Sequence, residues 1–263
     1  MPDDLQEIRE RLDHVDHKIT QFRLDCQSFV KTAITTRFEA EAGGRTFCAY
    51  YTQKTPVPTS IKSDCGMLAN EIRSCLDSLA CVLANRNGNS STQTYFPISK
   101  SKEIFLEDGL GRKLKKLSDS DKIKIQSVAP WQGGDKLLWS LHEADRIKKH
   151  VRLVALSGIN SDLSIPPIFH LDDCRGIITF DNIRISGISP FDIHIEHLEV
   201  MCFDKNRLSI GTEYPLYKGM PKDIFPKLSY SVLYSEPQAL EGCNAPNKLN
   251  AFLHRVREIV SMF

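Results

Sequence analysis

Three polar residues of a predicted helix at 62–86 are of types that can act in catalysis. Asn70, Arg73 and Asp77 are spaced three and four residues apart, so they share one face of the helix. Leucine and isoleucine residues occupy the opposite face. An arginine in this position could stabilise the negative charge of a phosphate during a cleavage reaction.

A second predicted helix, at 136–156, repeats this arrangement with histidine. His142, Asp145 and Lys149 share one face by the same spacing, and His150 lies on the adjoining face. Histidine can give or take a proton near neutral pH. If the two helices pack with these faces together, the polar residues form one acid–base site. The candidate catalytic residues are Arg73, Asp77, His142, Asp145, Lys149 and His150.

A structural role explains the same residues without chemistry. Arg73 and Asp77 can form an i,i+4 ion pair on a solvated face, and the His142 face can border a buried seam. The two interpretations differ in one geometric feature, which is whether the polar faces of the two helices converge.

Three patches carry a resemblance to a group of bacterial and phage proteins of uncharacterised activity. They are Asn70-Glu-Ile-Arg-Ser-Cys-Leu-Asp77, then Phe96-Pro97-Ile98, then Leu141-His-Glu-Ala-Asp-Arg-Ile-Lys-Lys-His150. The resemblance extends over most of the chain and implies the order long helix, strand, helix, loop, helix, sheet and terminal helix.

The helix with Arg73 also resembles the HEPN superfamily of helical-bundle ribonucleases and toxins. Their motif is an arginine, four to six residues and a histidine that serves in RNA cleavage. Positions 78, 79 and 80 are Ser, Leu and Ala, so the resemblance implies either lost chemistry or a histidine supplied by the helix at 136–156. Two pairs on the first helix fit the spacing, Arg9 with His14 and Arg11 with His17, but a solvated helix flank explains them more simply.

Two further patterns suggest ligand binding. Asp192, His194 and Glu196 alternate on a predicted strand and could ligate a divalent metal, although the polar outer face of a half-buried strand explains them more simply. The basic stretch at 112–116 could contact phosphates or be a solvated loop. We find none of the nucleotide-binding, nucleophile-elbow or zinc-protease motifs, so we expect no cofactor.

The first helix is predicted from about residue 3 to 40, with Gly43-Gly44 ending it. Its apolar residues follow a heptad seam, which must pack on another helix of the chain or on a partner through residues 5–33. The seam consists of Leu5, Ile8, Leu12, Val15, Ile19, Phe22, Cys26, Phe29 and Ala33.

The remaining pattern predicts an α+β fold, with a helical bundle at 1–160 and a β-rich region with a C-terminal helix at 161–263. A strand at 45–52 is isolated among helices, so we expect it to join the later, mainly antiparallel sheet. That pairing would make the two regions one structural unit. A short helix is expected at 119–127. Pro130 and Gly133-Gly134 follow it, and Asp135 is the expected N-cap of the next helix. Strands are expected at 177–185, 191–203, 208–216 and 228–234, and a last helix at 248–263.

Composition limits the function classes. The 263 residues carry 34 basic and 33 acidic side chains, a formal net charge of +1, so bulk charge attracts neither nucleic acid nor anionic lipid. Eight cysteines without a Cys-x-x-Cys pair, no signal peptide and no long apolar run favour a cytoplasmic protein with free thiols. RNA-directed activity, a non-catalytic assembly role and a metal-dependent enzyme remain as alternatives.

Overall fold

The computed structural model describes residues 3–44, 46–150, 156–157, 162–164, 176–185, 193–202, 210–221 and 227–263. Side chains are described for 3–44, 46–147, 210–214, 218–219 and 230–263. The predicted α+β class is confirmed: helices and an antiparallel sheet are both present.

The first helix, α1 (Gln6–Ala33), buries the heptad seam within the chain itself. Every seam residue from Leu5 to Ala33 is at most 8% exposed, because the apolar residues recur every three or four positions and form one continuous stripe. The sequence left open whether the seam packs within the chain or on a partner. In the structure, other residues of the same chain bury it.

The prediction that this helix continues to residue 40 is wrong. Residues Ile34–Ala40 form strand β1, which pairs antiparallel with β2 (Thr46–Gln53). Ile34-Thr-Thr is a β-branched run with weak helix propensity, and its ladder partner lies about a dozen residues further on. Gly43 and Gly44 have φ of 99° and 67°, so these two glycines form the hairpin turn and do not cap a helix.

Four further helices follow the hairpin. They are α2 (Thr59–Arg86), the short α3 (Lys102–Ile104), α4 (Asp119–Ser127) and α5 (Lys136–His150), with a π-helical segment, Phe105–Lys113, between α3 and α4. The predicted bounds of α4 are confirmed. The predicted end of α5 at 156 is wrong, because Leu156 already belongs to a strand.

The later strands are β3 (Leu156–Ser157), β4 (Asp162–Ser164), β5 (Gly176–Ile185), β6 (Ile193–Cys202), β7 (Glu213–Pro221), β8 (Lys227–Ser229) and β9 (Leu233–Tyr234). Five strands form one sheet in the order β1-β2-β7-β6-β5. Its described pairings are antiparallel. The early hairpin thus joins strands of the second half through β2 and β7. β3 pairs with β9, and β4 with β8.

The chain divides into two compact units. One unit comprises residues 1–25, 58–156 and 234–263, and the other comprises 26–57 and 157–233. The last helix, α6 (Ala245–Val260), packs on α2 and α5 in the helical unit. It does so because residues such as Leu249, Phe252 and Val256 form an apolar stripe that is fully buried there.

Among the described helices, none is both long and apolar enough to cross a bilayer.

Candidate functional site

Arg73 and Asp77 of α2 hold the backbone of one distant residue, Phe96. The Arg73 guanidinium donates to Asp77 Oδ1 at 2.8 Å and to the Phe96 carbonyl at 2.7 Å. The Phe96 N–H in turn donates to Asp77 Oδ1 at 3.0 Å. Both polar groups of Phe96 are therefore satisfied by one ion pair, and we call these three residues the Phe96 clamp.

The clamp is buried on its arginine side. The Arg73 side chain is 9% exposed and that of Asp77 is 30% exposed, while Phe96 is completely buried. A buried charge is tolerated only when it is paired and hydrogen-bonded, and Asp77 with the Phe96 carbonyl supplies both. Arg73 Nε is buried and has no hydrogen-bond partner among the described residues.

The clamped segment also connects α2 to the start of α5. Two residues after Pro97, Ser99 donates its N–H to the Pro130 carbonyl at 3.0 Å and accepts from the Gln132 N–H at 2.9 Å. Asp135 follows, and its Oδ1 accepts from the Leu138 N–H at 3.0 Å. The predicted N-cap at Asp135 is confirmed, and the position of α5 depends on this chain of backbone contacts.

No pattern in the sequence links Gly109 to this site. Gly109 lies in the π-helical segment, where a Cβ atom would come within 3.1 Å of Pro97. The lack of a side chain at Gly109 thus allows this segment to approach the residue beside the clamp closely.

A second contact joins the polar faces of α2 and α5, which pack directly on each other. Asn70 donates from its side-chain amide to Asp145 Oδ1 at 2.7 Å, and Asp145 is only 5% exposed. The three patches named above thus meet in one region of the helical unit. The faces of α2 and α5 converge, as the catalytic interpretation requires.

His142 lies on α5 beside this contact and is half-buried. Burial lowers the pKa of its imidazole from the ordinary value of 6.5, and the nearby positive charge of Arg73 lowers the pKa further. The negative charges of Glu143 and Asp145 raise the pKa of His142, but by less than the other effects lower it. The Trp139 ring lies against the imidazole with centroids 5.7 Å apart. His142 is consequently neutral at pH 7.

This pKa shift predicts an acid-dependent loss of stability. Because the folded-state pKa of His142 is below 6.5, the unfolded chain binds the proton more readily. The free energy of unfolding therefore falls as the pH drops through 6.5 toward the folded-state pKa. Urea unfolding of the wild type at pH 7.5 and pH 5.5 should show a larger loss than the same comparison for His142→Gln. Equal losses of stability in both proteins would contradict a lowered pKa for His142 in the folded state.

The last two candidates are only partly placed. Lys149 and His150 belong to α5, but their side chains lie outside the described ones, so their proximity to Arg73 stays a prediction. Arg146, on the same helix, is half exposed and donates to Glu143 at 2.9 Å and 3.1 Å. The structure thus brings together Arg73, Asp77, Asn70, Asp145 and His142.

The motif-like pairs of α1 do not form a second site of this kind. The Arg11 guanidinium donates to Glu71 at 2.7 Å and to the hydroxyls of Ser74 and Ser78 at 2.8 Å each. Arg11 therefore fastens α1 to α2, while His14 and His17 are exposed. This agrees with the simpler interpretation of that spacing.

Most of the basic side chains at 112–116 form ion pairs or hydrogen bonds with other residues of the chain. Arg112 and Lys113 pair with Asp108, and Lys116 Nζ donates to the carbonyls of Ser90 and Thr92 at 2.9 Å and 2.6 Å. These contacts leave Lys115 as the exposed cation of the stretch without a described ion pair.

No group of three or more His, Cys, Asp or Glu side chains able to hold a metal occurs among the described residues. The predicted metal strand is not covered by this finding. Asp192 lies outside the described residues, and the side chains of His194 and Glu196, both in β6, are also outside them.

Comparison of the chain with known protein families, curated proteins and solved structures finds no match.

Proposed function

We propose that this chain is an RNA-directed, HEPN-like protein whose α2–α5 cluster performs acid–base cleavage of a phosphodiester. The supporting observation is that His142 lies within the electrostatic reach of Arg73, on a helix packed against α2. In this proposal α5 supplies the imidazole that is missing after Arg73 in the HEPN-like motif.

His142 acts as the general base. A neutral imidazole can accept the proton of a ribose 2′-hydroxyl, and the 2′-oxygen then attacks the adjacent phosphorus. The bond to the 5′-oxygen breaks, and that oxygen takes up a proton from His150 or water. The products are a 2′,3′-cyclic phosphate and a 5′-hydroxyl end, so the reaction requires RNA and excludes DNA.

Arg73 acts as a positioning residue in this reaction. Its donors already bind Asp77 and the Phe96 carbonyl, so the direct contact to phosphate is assigned to Lys149, one turn beyond Asp145. Burial lowers the pKa of His142 most, and the charge of Arg73 lowers it further, which favours the neutral form that a general base needs.

The test compares wild type, His142→Gln and Lys149→Ala on a fluorescent RNA and on the same oligomer with 2′-deoxyribose. Loss of a general base should lower the cleavage rate by about 10²-fold or more. The deoxy oligomer should remain intact. Arg146→Ala serves as control, since its ion pair is solvent-exposed. Equal RNA cleavage by wild type and His142→Gln, or none by either, contradicts the proposal. Expression of the wild type should also arrest growth, and His142→Gln should relieve the arrest.

A non-catalytic interaction protein is the second candidate, and the Phe96 clamp favours it. Arg73 and Asp77 bind the backbone carbonyl and N–H of one buried residue, Phe96, which is a structural role. Under this candidate, clamp variants lose stability while RNA remains intact with every variant. Assembly through residues 5–33 would then have to use the outer face of α1, because the seam is buried.

A cytoplasmic location is part of the proposal. Cys65 and Cys75 are free thiols and are fully buried. Burial raises the pKa of the Cys65 thiol to about 12 and that of Cys75 to about 11, so both remain protonated and unreactive. Buried reduced thiols suit a reducing compartment.

A further inference from the structure

Strand β1 forms one edge of the five-stranded sheet, since β2 is its only neighbour among the described strands. From Thr35 to Ala40 its residues are exposed or half exposed. We call the side of β1 that faces away from β2 the β1 edge. An edge of this length that no described strand covers is a template for pairing with another strand.

The backbone bonds of the hairpin show which residues use this edge. The backbone N–H of Lys54 donates to the Ala33 carbonyl at 2.7 Å, and the backbone N–H of Glu41 donates to the Thr46 carbonyl at 3.0 Å. The direction of backbone groups alternates along an antiparallel strand, so the odd-numbered residues of β1 bond β2. The even-numbered residues therefore direct their N–H and C=O groups to the β1 edge. They are Ile34, Thr36, Phe38 and Ala40.

This alternation limits how a second copy can pair. When two β1 edges pair antiparallel, each even-numbered residue must lie opposite an even-numbered residue of the other copy. The residue at the centre of the pairing is therefore 36, 37, 38 or 39. Centring on Arg37 puts Arg37 opposite its copy, and centring on Glu39 puts Glu39 opposite its copy. Like charges directly opposite are destabilising. Centring on Phe38 places each Arg37 opposite a Glu39 of the other copy. Centring on Thr36 overlaps the two strands to the same extent but offers no such pair of opposite charges.

The side chain at the centre of this register is apolar and exposed. Phe38 is 52% exposed, and its ring meets that of Phe47 edge-on with centroids 5.5 Å apart. Pairing through Phe38 would cover a large apolar side chain. Arg37 already bonds Glu213 and Glu39 of its own chain, so its charge serves mainly to reject the neighbouring registers.

We propose that two copies of this chain dimerise by antiparallel pairing of their β1 edges, with Phe38 opposite Phe38 of the second copy. Residues 36, 38 and 40 form the backbone bonds, and each Arg37 lies opposite a Glu39 of the other copy. The dimer joins two five-stranded sheets into one continuous sheet. The β1 edge shares no residue with the α2–α5 cluster, so the proposal stands whether or not RNA is cleaved.

The test uses charge complementarity at position 38. Wild type, Phe38→Lys and Phe38→Glu are examined by analytical ultracentrifugation over a concentration series in low salt. The wild type should dimerise, and each variant alone should raise the dimer dissociation constant at least about tenfold, since like charges then face each other. An equimolar mixture of the two variants should form heterodimers again. Leu24→Lys, at an exposed position on α1, should leave dimerisation unchanged.

Hydrogen exchange supplies a readout without a substitution. The amides of Thr36, Phe38 and Ala40 should become protected as protein concentration rises, whereas those of Thr35, Arg37 and Glu39 should be protected throughout. A wild type that stays monomeric overturns the proposal. So do Phe38 variants that each remain dimeric, a mixture that fails to restore the dimer, and amides whose exchange is independent of concentration.

Discussion

Replacing Asp77 by alanine is expected to lower the free energy of unfolding by about 3 kcal/mol. The substitution leaves the Arg73 charge, whose side chain is 9% exposed, without its counterion, and it removes the acceptor of the Phe96 N–H. Breaking a buried ion pair from one side is costly, because the remaining charge stays desolvated. Urea unfolding monitored by circular dichroism at pH 7.5 measures the change.

Two companion variants make this result specific. Asp77→Asn keeps a carbonyl oxygen for the Phe96 N–H but leaves Arg73 unpaired, so it should still lose most of that stability. Arg146→Ala breaks an ion pair of similar sequence spacing on α5, but one that is 49% exposed on the arginine side, and should cost within about 0.5 kcal/mol. If Asp77→Ala were as mild as Arg146→Ala, the Phe96 clamp would not stabilise the fold.

Replacing Leu12 by alanine is the second change with a large expected effect, about 3 kcal/mol of unfolding free energy. Leu12 lies at the middle of the seam and is 1% exposed. Its truncation removes apolar burial and leaves a cavity that the neighbouring helices fill only in part. Because the chain itself covers the seam, the loss should be the same at every protein concentration. Urea unfolding at two concentrations tests both statements.

Leu24→Ala is the matched control for this experiment. It removes the same atoms from the same helix, but Leu24 is 53% exposed, so its cost should be about 0.5 kcal/mol or less. A Leu12→Ala loss that grew on dilution would show that a partner covers the seam, and the intrachain packing described above would then be wrong.

The comparison of β1 with α1 shows where local pattern stops being sufficient. The heptad spacing correctly marked all nine seam residues as buried. The extension of the helix to residue 40 failed because Ile34–Ala40 gains a ladder with Thr46–Gln53. Strand pairing is a contact between distant segments, and helical periodicity within one segment does not report it.

In the candidate site, too, the sequence predicted one contact and could not indicate others. Spacing alone put Arg73 with Asp77 on one helical face, and their 2.8 Å contact follows from it. The sequence could not indicate that the pair binds Phe96, because the contacted atoms are backbone atoms, which every residue carries. The sequence likewise could not indicate that Gly109 approaches Pro97, because that contact depends on how the π-helical segment packs.

By itself, the sequence determined the α+β class, the seam, the Asp135 N-cap and the shared faces of α2 and α5, because each follows from residue types at short, regular spacing. Only the tertiary structure decided that the two polar faces meet at Asn70 and Asp145, that Arg73 holds a buried peptide unit, and that residues 34–40 form an open sheet edge. Those features depend on segments far apart in the chain, whose packing sets the burial and charge around each group.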